Sequence, residues 1–404
     1  MGLNDTPMGE RKHIAFFGCR NAGKSSLINA VTNQQLSIVS DVAGTTTDPV
    51  YKAMELLPAG PVVVIDTPGL DDVGELGEMR IKKTEEVIRK TDLAVLVVDA
   101  SVGMNDKDKE ILELIRNRNI PYIIALNKTD LLPGDGATAG ANIANADNDN
   151  DNRISVSALQ NQGIDALKER IAALINASET EKVLVGDLIN PGDVVVLVVP
   201  IDKAAPKGRL ILPQQQTIRD ILDHGAIPVV TRDSELEQVI ELLAGKITLV
   251  ITDSQAFKKV AEIVPRDIPL TSFSILFSRY KGDLWKQLKA IDKLDELKPG
   301  ARILIAEGCT HHRQCGDIGT EKIPAILKKR GDWDISFTSG QEFPADVSGY
   351  DYIIHCGGCM LNETEMKSRI EIAERCGVPM TNYGMFLAKT TGVLDRSMEP
   401  LREK

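Results

Sequence analysis

The stretch Gly18–Ser25, GCRNAGKS, decides the fold of the first part of the chain, because it fits the pattern G-x-x-x-x-G-K-[ST]. An apolar segment, HIAFFG at 13–18, precedes it, and the helical segment SSLINAV at 25–31 follows it. A strand, a turn and a helix in this order surround phosphate groups with backbone amides and a helix N-terminus. Lys24 is expected to meet the β and γ oxygens, and Ser25 to bind Mg²⁺. The residues predicted to bind the phosphates are Gly18, Gly23, Lys24, Ser25 and Ser26.

Two motifs downstream supply the remaining groups that phosphoryl transfer needs. GTTTD at 44–48 can present Thr46 to Mg²⁺ and the γ-phosphate, and DTPG at 66–69 ends an apolar strand. Asp66 is then placed to hold the magnesium shell, and the amide of Gly69 to sense the γ-phosphate. The predicted catalytic residues are Lys24, Thr46, Asp66 and Gly69.

Two more motifs predict which base is bound. In NKTD at 127–130, Asp130 can accept two hydrogen bonds from the N1–H and the exocyclic amine of guanine, which adenine does not offer. SVSAL at 155–159 comes next along the chain. The residues predicted to lie at the base are Asn127, Lys128, Asp130, Ser157 and Ala158. Five short motifs in the correct order predict a domain that binds GTP or GDP with Mg²⁺ and hydrolyses GTP.

This part of the chain resembles the GTPases of the Era and MnmE kind. Leu70 stands where Ras-like enzymes have the glutamine that orients water, so hydrolysis by this domain alone should be slow. Asn21 resembles the asparagine that ligates potassium in this subgroup, although an ordinary turn residue would look the same. The resemblance implies a K⁺ ion that stabilises negative charge in the transition state.

Composition limits the protein class. The 404 residues are 43% apolar and 26% charged, which is typical of a folded protein of two to four domains. A net charge of −11 argues against a nucleic-acid-coating surface, and no run of 18 apolar residues predicts a membrane span. Six cysteines in a chain of this length do not make a disulfide framework; they favour a cytoplasmic protein with metal or redox chemistry.

Apolar strands alternate with amphipathic segments along the chain, which predicts an α/β fold with mostly parallel sheets. We expect three domains: a P-loop GTPase domain at 1–176, an α/β dimerisation domain at 183–276 and a Rossmann- or flavodoxin-like α/β domain at 277–404. The polar segment 134–152 reads as a surface insertion. The long apolar strand at 193–201 would invite pairing with another chain if it lay at a sheet edge.

The third domain carries a candidate metal site. Cys356 and Cys359 have C-x-x-C spacing, and Cys309 follows another apolar strand. Because the carboxyl ends of parallel strands meet at one edge of a sheet, the three thiolates can converge there. The candidates for a fourth position are His311, His312, His355 and Cys315. Spacing alone fits a Cys₃His zinc site as well as a [4Fe–4S] cluster with an open coordination position.

An Era-like GTPase followed by a middle domain and then CTHH and HCGGC resembles the HydF family of [FeFe]-hydrogenase maturation GTPases. The resemblance implies a [4Fe–4S] cluster on Cys309, Cys356 and Cys359, with His311 and His355 as the histidines of the pattern. Cys315 is a further possible fourth ligand, and Gly316 stands where some relatives have a carboxylate. The resemblance also implies a dimeric scaffold that receives a transient diiron precursor from two radical-SAM maturases and delivers it to the apo-hydrogenase. It implies no nucleic-acid or membrane partner.

The alternative is an RNA- or ribosome-associated GTPase with a structural zinc site. The relatives of the GTPase domain support this alternative, whereas the acidic net charge and the two glycines between Cys356 and Cys359 count against it.

Overall fold

A computed structural model describes residues 6–34, 48–69, 83–132, 152–177, 182–200, 210–308, 317–340 and 342–402. Several of the residues singled out in the sequence lie outside these ranges: Thr46, Leu70, Cys309, His311, His312, Cys315 and Gly316. The insertion at 134–152 lies outside them as well, apart from its last residue. The chain divides into two compact units, Met1–Thr180 and Glu181–Lys404.

The secondary structure confirms the predicted α/β class. The strands are β1 Lys12–Phe17, β2 Val50–Leu56, β3 Gly60–Asp66, β4 Leu93–Asp99, β5 Tyr122–Asn127, β6 Arg153–Ser155, β7 Val194–Val198, β8 Ile227–Thr231, β9 Ile247–Thr252, β10 Leu270–Ser272, β11 Arg302–Ala306, β12 Asp334–Thr338, β13 Tyr352–His355 and β14 Met380–Asn382. The helices are α1 Lys24–Thr32, α2 Asp106–Asn117, α3 Ile164–Ala177, α4 Leu212–Asp223, α5 Leu236–Leu242, α6 Phe257–Ile263, α7 Phe273–Lys281, α8 Leu284–Asp292, α9 Ile323–Lys328, α10 Glu363–Arg375, α11 Tyr383–Thr391 and α12 Leu394–Arg402. Residues 83–88 are also helical.

The first unit is a six-stranded sheet in the order β2-β3-β1-β4-β5-β6. Only β2 runs antiparallel to its neighbour, β3. The strands β1 and β4 at its centre are apolar along nearly their whole length, because helices cover both faces of a parallel sheet. Their carboxyl ends therefore carry the polar loops that contain the predicted nucleotide-binding residues.

The second unit contains two parallel four-stranded sheets, in the orders β10-β9-β7-β8 and β12-β11-β13-β14. Counted along the chain, the strands of each sheet have the same order, 2-1-3-4. We call β7–β10 with α4–α8 the first half of this unit, and β11–β14 with α9–α12 the second half. Each half ends in a short strand, a capped helix and a second helix: Ser272 caps α7, and Asn382 caps α11. The two halves thus form an internal structural repeat.

Each half gives its last helix to the other. Helix α8 of the first half packs on β14, where Thr381 Oγ1 donates to the carbonyl of Gln287 at 3.2 Å. Helix α12 of the second half packs on β10, and Arg396 donates to the carbonyls of Ala261 and Val264 at 2.9 Å. The halves consequently share one hydrophobic core, and the predicted division between residues 276 and 277 falls inside α7.

The sequence left open whether the apolar strand at 193–201 lies at a sheet edge. The apolar strand β7 lies between β9 and β8, so it is not an edge. The edge strands of the first half are β10, which is buried, and β8, on which two apolar side chains, Ile227 and Val230, are 51% and 46% exposed. Among the described residues, we find no helix with the length and apolar character needed to cross a bilayer.

Candidate functional site

The loop between β1 and α1 has the backbone conformation that its sequence predicts. Gly18 has φ +149°, and a Cβ there would lie 2.4 Å from the carbonyl oxygen of Val97. Gly23 has φ +82°, and a Cβ there would lie 2.3 Å from the side-chain nitrogen of Asn127. Only glycine fits at either position, since a side chain would displace the neighbouring strand ends. Asn21 also adopts a left-handed conformation, with φ +63°.

Three of the residues assigned to phosphate and magnesium lie together. Lys24 Nζ is 3.2 Å from Asp66 Oδ1, and the hydroxyl of Ser25 donates to Asp66 Oδ2 at 3.2 Å. Gly69 lies against the phosphate loop, because a Cβ on it would be 3.3 Å from the backbone of Arg20. Helix α1 begins at Lys24, so its N-terminal amides face the same place. Thr46, the fourth predicted catalytic residue, is outside the described residues.

The side chain of Asn127 connects its own loop to the phosphate loop and to the SVSAL segment. Its side-chain nitrogen donates to the carbonyl of Ala22 at 3.0 Å, and its oxygen accepts from the amide of Ala158 at 3.0 Å. The hydroxyl of Ser157 donates to Asp130 Oδ1 at 2.5 Å, which fixes the carboxylate predicted to read guanine. The structure thus brings the NKTD and SVSAL segments together beside the phosphate loop.

Sequence reasoning missed two residues that support these loops, Asp99 and Asn105. Lys128 Nζ lies 2.6 Å from Asp99 Oδ2 at the end of β4. Burial opposes ionisation of Asp99, but the hydrogen bonds from Lys128 and Ser101 outweigh it and lower the pKa of the carboxyl. Asn105, the N-cap of α2, donates from Nδ2 to Cys19 Sγ at 3.2 Å. The signal for Asp99 was present, since an aspartate ending an apolar strand marks the functional edge of such a sheet.

The second candidate site lies where β11 and β13 end. These strands are parallel neighbours, with Ala306 paired to His355. The amide of Gly308 donates to Cys356 Sγ at 3.0 Å, and that of Gly358 at 3.4 Å. Residue 309 follows Gly308 directly, so the chain reaches the neighbourhood of Cys356 one residue before the predicted third thiol. We call residues 355–362, HCGGCMLN, the thiol loop.

His355 is fully buried, and both of its ring nitrogens have protein partners. Nδ1 lies 2.7 Å from the carbonyl oxygen of Cys356, and Nε2 lies 3.0 Å from Arg369 Nη1. A guanidinium can only donate, so Nε2 accepts and Nδ1 carries the proton. Burial first, and then the charge of Arg369, lower the pKa of His355 to about 3. The neutral ring therefore ties Arg369 to the backbone of the thiol loop.

Other side chains around the thiol loop were not visible in the sequence pattern. Lys281 Nζ donates to the carbonyls of Cys359 and Leu361 at 3.2 and 3.0 Å. The hydroxyl of Tyr383 donates to the buried carboxylate of Glu307 at 3.4 Å. Burial, followed by the negative charges of Cys356 and Glu307, raises the pKa of Tyr383. Each of these residues is distant in sequence from the motif it contacts, so local spacing gave no signal.

The donor set suits a metal–sulfur centre. Backbone amides that point at a cysteine sulfur are characteristic of iron–sulfur sites, and no described atom lies within 4 Å of a Cβ built on Gly357. Two thiols of the predicted site are among the described residues, Cys356 and Cys359. Within those ranges no group of three or more potential metal ligands occurs. Cys309, His311 and Cys315 fall outside them.

Comparison with known proteins divides the chain in three. Residues 13–128 match a family model described as a 50S ribosome-binding GTPase. Residues 184–282 match the hydrogen maturase F dimerization domain, and residues 285–400 match the hydrogen maturase F tetramerization domain. The two maturase models meet where α7 ends and α8 begins.

Curated relatives match about two fifths of this chain. The tRNA modification GTPase MnmE of Desulfotalea psychrophila is 35% identical over 164 residues, which are 40% of this chain and 34% of the relative. The protein of that name from Lactococcus lactis subsp. cremoris is 36% identical over 168 residues, or 41% of this chain and 34% of the relative. The chain thus spans about a third of the length of these relatives.

A solved structure of Era from Aquifex aeolicus bound to GDP and aluminium fluoride covers 57% of this chain and 98% of its own, with 20% identity and a TM-score of 0.38. That score is too low to support the fold, which rests on the strand order given above. The maturase models cover both halves of the second unit, and a GTPase model covers the first unit. The chain therefore belongs to the hydrogen maturase F family of hydrogenase-maturation GTPases.

Proposed function

We propose that this protein is a GTP-hydrolysing scaffold and carrier, which assembles the diiron precursor of [FeFe]-hydrogenase and delivers it to the apo-hydrogenase. In this proposal, Cys309, Cys356 and Cys359 hold a [4Fe–4S] cluster with an exchangeable fourth position. The observation that carries the proposal is the 3.0 Å hydrogen bond from Gly308 to Cys356 Sγ, because it brings the chain before Cys309 to the second thiol. The family to which the chain belongs supports the same reading.

When bound, the cluster would supply a metal position at which a ligand of the diiron precursor can exchange. The residues of the chain have other tasks. The amides of Gly308 and Gly358 donate to Cys356 Sγ, which favours the thiolate over the thiol. None of the described atoms lies within 4 Å of a Cβ built on Gly357, and this glycine would leave room for a bulky group. We propose that the diiron unit arrives from two radical-SAM maturases in the cytoplasm, without a nucleic-acid or membrane partner.

The contacts of His355 bear on the fourth ligand. A metal would have to displace either the carbonyl of Cys356 or the guanidinium of Arg369 from the ring. We therefore propose that His355 supports the loop and leaves the fourth position to His311, to Cys315 or to a ligand from outside the protein.

The nucleotide residues are proposed to act as their motifs indicate. Lys24 would neutralise the β and γ oxygens, Ser25, Thr46 and Asp66 would hold Mg²⁺, and Asn21 would ligate K⁺. The contact of Lys24 and Ser25 with one carboxylate, Asp66, supports a shared magnesium and phosphate site. Hydrolysis by this chain alone would be slow, and GTP would act by changing affinity for partner proteins.

Oligomerisation is supported by the two maturase domain models, and the structure offers a surface for it. We propose that the edge strand β8 contributes to the subunit interface of a homodimer. No described strand pairs with its outer side, and it carries Ile227 and Val230 at its surface, a combination that proteins usually avoid at a free edge.

Anaerobic reconstitution of the full chain with iron and sulfide tests the proposal. We expect about four iron ions per chain and an electron paramagnetic resonance signal from the reduced protein. A colourless protein that keeps one tightly bound zinc ion under the same conditions would contradict it, and would favour a structural zinc site.

A further inference from the structure

Lys281 makes an unusual contact with the thiol loop. It is the last residue of α7, in the first half of the second unit, and it is 2% exposed. Its ammonium donates to the carbonyls of Cys359 and Leu361, on either side of Met360, and lies 6.0 Å from the ring centre of Phe277. Burial of an ammonium group is costly unless hydrogen bonds replace its water. These two carbonyls therefore hold Lys281, and Lys281 holds the loop.

A second lysine reaches the same place from the chain that leaves the GTPase domain. Lys182 follows residues 178–181, which connect α3 to the second unit. Its ammonium pairs with Glu363 and also lies 3.4 Å from the carbonyl of Tyr280. Glu363 is the first residue of α10, directly after the N-cap Asn362 that ends the thiol loop. The N-terminal segment of the second unit is thus attached to the start of α10, next to the turn that carries Cys359.

A third lysine also contacts Glu363, but it does not link α10 to another segment of the chain. Lys367 Nζ lies 2.6 Å from the same Glu363, but it belongs to α10 itself, one turn further along. A pair four residues apart within one helix stabilises that helix slightly and cannot tie it to another element. Substitution of Lys367 is therefore a matched control for substitution of Lys182, because each removes one positive charge from beside the same carboxylate, Glu363.

We propose that Lys281 and Lys182 are positioning residues for the thiol loop. Lys281 fixes the backbone at Cys359, and Lys182 attaches the start of the following helix to the N-terminal segment of the second unit. Two residues outside the cysteine motif would then set where the thiol of Cys359 stands. This inference rests on the proposed metal-binding role of the loop, but its first test needs no metal.

The test uses the full chain, metal-free and reduced, with iodoacetamide as the thiol probe and mass spectrometry as the readout. We expect Lys281→Met to raise the alkylation rate of Cys359 by about tenfold, because the loop loses two charge-assisted hydrogen bonds. Lys182→Met should raise it by roughly twofold, and Lys367→Met should leave it unchanged. Cys376, on the far end of α10, is the internal reference and should react at the wild-type rate in all three variants.

Unchanged alkylation of Cys359 in Lys281→Met would overturn the proposal, and so would an equal rise at Cys376, which would indicate general unfolding. Should Lys281→Met not fold, Lys281→Gln keeps an amide NH2 donor group but loses the charge and shortens the side chain by one bond. We expect an intermediate rise in that variant, and the wild-type rate there would also overturn the proposal.

Reconstituted protein gives an independent readout. Lys281→Met should keep its iron but show a lower cluster reduction potential, because loss of a nearby positive charge disfavours the more negative reduced state. A potential equal to that of the wild type would contradict the role of Lys281. If no variant and no wild-type protein binds iron, the proposed function fails, while the alkylation result still decides whether the lysines position the loop.

Discussion

Arg369 Nη1 donates a hydrogen bond of 3.0 Å to His355 Nε2, and this contact fixes the histidine as a neutral ring that supports the thiol loop. The same guanidinium donates to the carbonyl of Gly340 at 2.7 Å and to Glu365 at 2.6 Å. The histidine beside the C-x-x-C motif is thus held from one side by a buried cation, and on the other it holds the backbone of Cys356.

This arrangement predicts that the stability of the metal-free protein depends on pH. The pKa of His355 lies at about 3 in the folded chain, against 6.5 for an ordinary histidine. Between these values the unfolded chain binds the proton and the folded chain does not, so stability falls as pH falls through this window. We expect the free energy of unfolding to fall by roughly 1.4 kcal/mol for each pH unit below the pKa of the histidine in the unfolded chain.

The measurement is urea denaturation of the wild type and of His355→Gln, from about pH 7 to about pH 5. The variant should lack this part of the pH dependence. If the free energy of unfolding changes with pH in the same way in both proteins, His355 takes up a proton in the folded chain as an ordinary histidine does.

The cysteine motif should be separable from the nucleotide site. Cys359→Ser removes one of the proposed thiolate ligands, so iron content after reconstitution should fall about tenfold, and hydrogenase maturation should be lost. GTP hydrolysis should persist. Cys376→Ser, a change at the end of α10, is the control and should retain iron. Full maturation by Cys359→Ser would count against the assigned ligand set.

Substitutions in the nucleotide motifs should weaken GTP binding and leave iron binding intact. Lys24→Ala and Asp130→Ala should each weaken GTP binding by about a hundredfold or more, since each removes a charged partner of the nucleotide. Iron content should be unchanged, because the proposed cysteine ligands are in the other unit. Isothermal titration with GTP and iron analysis on the same samples decide the matter, and joint loss of both properties would argue against independent sites.

Potassium should stimulate hydrolysis. If Asn21 ligates K⁺, replacement of sodium by potassium should raise the rate of phosphate release by roughly tenfold in the wild type. Asn21→Ala should abolish the difference between the two ions while it leaves the sodium rate similar. A wild-type rate that does not respond to the cation would retire the role given to Asn21.

The edge strand β8 should matter for assembly. Val230→Lys places a charge on the exposed edge, which opposes strand pairing between chains, and we expect the dimer to dissociate by size-exclusion chromatography with light scattering. Leu242→Lys is the control, because Leu242 is 82% exposed and lies at the end of helix α5, away from the strand. If both variants remain dimeric, the interface lies elsewhere.

Much of the architecture was predictable because its signals are local. The phosphate loop needs Gly18 and Gly23 for backbone reasons that any such sequence shows, and the α/β class follows from apolar strands that alternate with helices. The family assignment from the cysteine motifs and the GTPase motifs is confirmed by the domain models. The metal ligands stay a prediction, since Cys309 is outside the described residues.

Other features could not be predicted, because they depend on contacts between distant segments. Lys281 and Arg369 look like ordinary surface cations in the sequence, yet both are buried by the fold. The internal repeat is equally hidden: the sequence around Ser272 and that around Asn382 share a strand–cap–helix pattern but few identities. Topology preserves the repeat where side chains have diverged.

The exchange of α8 and α12 between the two halves has a consequence for how such a protein can evolve. Each half completes its partner, so neither can be shuffled into another gene as a self-sufficient module. We expect a lineage that inherits the cysteine-bearing half to inherit also the half whose strands lie in the dimerization model. The thiol loop and the two domains that match the oligomerization models are then expected to be transmitted together, as one heritable piece.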